Sequence, residues 1–247
     1  MNCAVPMTVL NAAAAAALAE MTERLKQKLG TDPKHRDQAV AELLREVFTE
    51  TAAVRFEGNG YSEEWKHEAA RRGLPNLTDT AAALTEVMKP EHHGFLIDTS
   101  VLSQLELDAR FNVAAERYVK QVTLEAESML DILNSAVVPA VERQLAVTGA
   151  AWRVLSEANG SPKGSAYGKR VAALAGGLES LQEGIGRIQG LLCSQHHGHD
   201  EVAACRVLGS QMRPLMQEVR GVADKLEAWV DDEHWPLPKY REMLFVK

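Results

Sequence analysis

From residue 105 to residue 157 the sequence holds a single glycine, Gly149, and a single proline, Pro139. A stretch so poor in chain-breaking residues reads as one continuous pattern. Val113, Val122, Met129, Leu133, Val137 and Val141 recur within it at helical spacings. They predict one long helix, or two joined at a kink beside Pro139, where the missing N–H breaks the backbone ladder.

A second pattern follows the polar loop Asn159 to Ser165. Leu178, Leu181, Ile185, Ile188 and Leu192 alternate steps of three and four residues. Gln195-His196-His197-Gly198-His199 interrupts the stripe, and Leu215, Val219, Val222, Leu226 and Trp229 resume it. Two heptad stripes joined by a short polar turn predict an antiparallel helical hairpin. The earlier long helix would supply a third wall. The expected fold is therefore mainly α: a long-helix antiparallel bundle with a small irregular region and one possible short strand.

The first hundred residues are more broken. Six consecutive alanines, Ala12 to Ala17, support a helix over 7–29 that is closed by Gly30, with Asp32-Pro33 starting the next over 35–50. Because no Lys or Arg precedes Arg24 and Glu20 ends the apolar run, the first of these reads as a buried helix rather than a leader or membrane span. Val54-Arg55-Phe56 is the candidate strand, and Gly58-Asn59-Gly60 has turn chemistry. Ser62 caps a helix that Gly73 and Pro75 stop. Residues 75–100 look least regular, with Pro90 and Gly94 as breaks and a short helix from Thr80 to Met88 capped by Asp79 or Thr80.

Composition narrows function. A net charge of −7 argues against nucleic acid as a partner, since phosphate binding needs a concentrated basic surface. Three cysteines, Cys3, Cys193 and Cys205, make no disulfide framework and suit a reducing cytoplasm. Cys193, His196, His199 and Cys205 are residue types that ligate zinc, but their spacing matches no zinc pattern, and a solvated turn between helices explains them better. His92-His93 reads as a polar loop pair. Gly58-Asn59-Gly60-Tyr61 lacks the Lys-Ser/Thr of a phosphate loop. Glu125, Glu127 and Asp131 lie along the long helix with no second carboxylate segment to face them. No catalytic, cofactor-binding or metal-binding residue is assigned.

Four segments resemble the type III glutamine synthetase family, in the family's order. They are Pro6-Met7-Thr8-Val9-Leu10-Asn11; Phe56-Glu57-Gly58-Asn59-Gly60-Tyr61-Ser62-Glu63-Glu64-Trp65 with Glu68 through Leu77; Arg117-Tyr118-Val119-Lys120-Gln121 with Glu125, Met129 and Pro139; and Val230-Asp231-Asp232 with Trp235-Pro236-Leu237-Pro238 through Phe245. The resemblance implies the C-terminal portion of such an enzyme: residues 1–52 as trailing helices of a catalytic domain and 53–247 as a helical C-terminal domain. Full-length members ligate ammonia to glutamate with ATP and Mg²⁺ or Mn²⁺, and assemble as hexameric rings. Their catalytic signatures precede the segment matched at Pro6, so the resemblance assigns no catalytic residue here. A fragment inactive by itself is expected, with no cofactor of its own and no membrane contact. Its exposed helix faces would recruit a protein partner or self-associate. The alternative is a free-standing helical interaction or scaffold module that associates with a complete glutamine synthetase or another subunit.

Overall fold

The computed structural model describes residues 4–30, 35–160, 165–195 and 201–244. Within them the protein is helical, with no strand among the described residues. The chain divides into two compact units, residues 1–113 and 114–247.

In the first unit, α1 (Ala4–Leu29) packs on α2 (Arg36–Glu50) and on α5 (Pro90–Asp98). α1 ends at Gly30, which takes the left-handed conformation at φ 53° and donates to the Lys26 carbonyl. The proposed restart at Asp32-Pro33 lies outside the described residues; α2 begins at Arg36. The expectation of a buried first helix fails. Ala12 alone on α1 is buried, joining Leu96 and Leu107 in a small core with Phe95 and Leu102 against it. By length and composition α1 also satisfies the requirements of a membrane-crossing helix, as some core helices and leaders do.

The candidate strand is absent too. Thr51–Val54 forms a 3₁₀ turn that continues α2, and Arg55 leads into irregular chain. A strand needs a neighbouring strand to satisfy its backbone, and the described residues of this unit offer none. α3 (Glu63–Arg71) and α4 (Thr80–Val87) are capped by Ser62 and Asp79, whose side chains accept from the Trp65 and Ala82 amides. Residues 90–98 are more regular than their sequence suggests. Pro90 occupies the first turn of α5, where no N–H is missed, and Gly94 is carried inside the helix.

α6 (Gln104–Ile132) opens on a capping box. The Ser103 amide and hydroxyl donate to the Glu106 carboxylate at 2.8 Å each, and the Glu106 amide donates back to Ser103 Oγ. α6 spans the boundary between the two units.

In the second unit a π-helical turn, Leu133–Val137, joins α6 to α7 (Val138–Asn159). Gly160, left-handed at φ 60°, caps α7. α8 (Ala166–Gln195) packs against both α7 and α10 (Arg213–Glu227). α9 (Glu201–Val207) reaches α10 through a second π turn, Leu208–Met212. Both π turns precede a proline near the start of the next helix, Pro139 and Pro214. The cause is shared: proline clashes with the carbonyl four residues back, and one wide turn relieves the clash. Ser135 and Ser210 occupy those positions, and each hydroxyl donates to a carbonyl four residues further back, at 2.7 Å.

The hairpin is antiparallel, as its cross-contacts show. Arg170 donates to the Trp229 carbonyl, and Arg187 pairs with Glu218. Its core is Leu174, Leu181, Ile185, Ile188 and Leu192 against Leu208, Met212, Leu215, Val219 and Leu226, all buried. A final turn, α11, spans Tyr240–Met243.

Candidate functional site

The segment from Phe56 to Leu74 forms a compact knot, and each of its distinctive residues has a structural task. The Asn59 side chain accepts from the Tyr61 amide at 3.0 Å, and the Ser62 hydroxyl donates to the Asn59 carbonyl at 2.8 Å. Ser62 in turn caps α3. The Trp65 ring stacks on Phe56 with centroids 4.5 Å apart. The Arg72 guanidinium sits 5.6 Å from the Trp65 ring and donates to the Arg55 carbonyl at 2.6 Å and the Ala53 carbonyl at 3.2 Å. A planar fork suits this double task of stacking and capping loose carbonyls. Gly73 at φ 74° and the Leu74 amide, which donates to the Ala69 carbonyl at 2.9 Å, close α3 in a Schellman motif.

Glu68 completes the knot, accepting from Arg71 and Arg72 at 2.6 Å each. Its hydrogen bonds to Arg71 first, then to Arg72, hold its pKa down at about 2. A similar clasp joins α1 to α2. Arg24 reaches Glu50 at 2.8 Å and Glu46 at 3.2 Å, and Lys28 reaches Glu46 at 2.7 Å. Hydrogen bonds to these cations lower the pKa of both glutamates.

The tail beginning at Trp229 ties the second unit together. The Asp231 amide donates to Gln144 Oε1 at 2.9 Å, and Gln144 donates to Thr148 Oγ1 at 2.9 Å. Gln144 and Thr148 are both buried polar side chains on α7. Val230 and Trp235 are buried beside this turn, while the Asp231 carbonyl accepts from the His234 and Trp235 amides at 3.0 Å. Arg170 on α8 donates to the Trp229 carbonyl at 2.8 Å and lies 5.8 Å from that indole ring. Lys239 pairs with Asp232. The stripe read through Trp229 therefore shifts by one residue: α10 stops at Glu227, and Val230 is buried in place of Trp229.

Cys193 is exposed near the end of α8 and Cys205 is buried on α9, while His196 and His199 lie outside the described residues. No group of three His, Cys, Asp or Glu side chains converges anywhere among the described residues. His92 and His93 belong to a helix rather than a loop. Their Nδ1 atoms each lie 2.9 Å from a carbonyl at the end of α4, of Glu86 and Val87 respectively, so they cap that helix. Glu125, Glu127 and Asp131 are exposed on α6.

A surface groove of about 550 Å³ runs between α8 and the start of α10, lined by Arg187, Gly190, Leu191, Gln211, Pro214 and Glu218. Arg187 and Glu218 pair across it at 3.0 Å, so its charges are already matched to each other.

Two features escaped the reading of the sequence. Gln144 and Thr148 look like ordinary polar residues until the tail is seen to need an acceptor. Gly177 and Gly184, seven residues apart on α8, receive Leu226 and Val219, seven apart on α10. The matched heptad spacing was the available signal.

Fold and geometry define an α-helical domain whose distinctive residues brace helix ends rather than converge on a reacting atom. Comparison with known proteins places that domain. Residues 39–150 match the glutamine synthetase C-terminal domain family. The chain is 31% identical over 250 residues to a glutamine synthetase of Bacteroides fragilis (strain YCH46), covering 100% of this chain and 34% of that protein. It is 28% identical over 247 residues to the type-3 glutamine synthetase of Dictyostelium discoideum, covering 98% of this chain and 33% of that one. A glutamine synthetase of Butyrivibrio fibrisolvens is 25% identical over 237 residues, with 92% and 32% covered. Residues 39–150 thus carry a glutamine synthetase C-terminal domain, and the chain as a whole is similar to a C-terminal portion of type III glutamine synthetases. It spans about a third of the length of these relatives.

Proposed function

We propose that these 247 residues are the helical bracing part of a type III glutamine synthetase in the cytoplasm, and that alone they do not ligate ammonia to glutamate. The observation that carries this reading is the match itself: the whole of this chain aligns with only a third of a glutamine synthetase. The donor chemistry agrees. Binding Mg²⁺ or Mn²⁺ with a nucleotide calls for several oxygen ligands converging on one point. The described carboxylates gather in no group of three, and Glu46, Glu50 and Glu68 are each engaged with cations of their own unit. Among the described residues no side-chain set offers that convergence, which supports the reading.

The test is direct. The purified chain is assayed for γ-glutamyl transfer and for glutamine formation with ATP and Mg²⁺ or Mn²⁺, and titrated with ATP by calorimetry. Background turnover and no binding heat are expected. Stoichiometric ATP binding overturns the proposal.

A further inference from the structure

We draw no further inference here: the strongest candidate, the surface groove between α8 and the start of α10, has its Arg187 and Glu218 already paired with each other at 3.0 Å, and nothing in the structure shows what would occupy it.

Discussion

Gly184 and Gly186 lie two residues apart in the interior of α8, and the same substitution should have opposite effects at them. Alanine is favoured over glycine in a helix interior by about 1 kcal/mol, because it confines the unfolded chain and covers the backbone. At Gly186 nothing lies within 4 Å of a new Cβ, so Gly186→Ala should stabilise the protein by roughly that amount. At Gly184 the new atom would fall well inside 3.0 Å of Val219 Cγ2, with the other methyl and Cβ of that valine at 3.5 Å. Val219 is 2% exposed and its branched side chain is held to one rotamer in a helix, so it cannot swing aside. Either the helices separate or the side chain strains, at a cost of about 1–3 kcal/mol.

Subtracting one variant from the other removes the propensity gain and leaves the clash, about 1–3 kcal/mol between Gly186→Ala and Gly184→Ala. Urea unfolding followed by circular dichroism measures it, provided the two variants share one m-value. A second background tests the mechanism. Val219→Ala deletes the offending methyls, so in that background Gly184→Ala should turn stabilising by about 1 kcal/mol as the new Cβ enters vacated space. Equal effects of Gly184→Ala and Gly186→Ala in both backgrounds would refute the close approach of α8 and α10 on which this reasoning rests.

Gln144→Leu should cost about 1 kcal/mol, because the Asp231 amide loses its acceptor at a partly buried site; hydrogen exchange should rise selectively over residues 230–235. Glu68 has a folded pKa below the unfolded carboxylate value, so its pairing with Arg71 and Arg72 contributes stability above about pH 4.3 and loses it as pH falls toward about 2. A carboxyl titration by NMR should find Glu68 still ionised at pH 3.5, and a midpoint above 4 would contradict the knot. Arg72→Lys keeps the charge but loses the fork, so near-ultraviolet dichroism from the Phe56–Trp65 stack should weaken while helix content stays. A maleimide should label Cys193 in the native chain and Cys205 only after denaturation; zinc held between them would protect both.

Much of the bundle was legible because helical periodicity and the burial it serves are one physical fact. The interruption of the α-helix before Pro139, the stripes on α8 and α10, and the caps at Ser62 and Asp79 follow from local rules that tertiary contacts did not override. The failures are also physical. Val54-Arg55-Phe56 has strand-like residues, but strand formation is decided by a neighbour that local sequence does not name. The π turn before Pro214 follows from the same proline rule as the one before Pro139, yet the sequence reading did not extend the rule to it. The α1 helix was foreseen as a helix and misjudged in burial, because composition reports what a surface prefers and not whether its partner is within the chain.

The segments that resemble the family most specifically turn out to lie at the ends of helices, and the reason is chemical. A helix interior in a bundle accepts Leu, Ile, Val or Met at a given position with little loss, so its sequence drifts while its pattern persists. A helix end must satisfy particular donors and acceptors, and few residues can do so. Asn59, Ser62, Gly73 and Arg72 each meet such a requirement, and so does the Asp231 turn held by Gln144. Recognisability therefore concentrates where the bundle is tied.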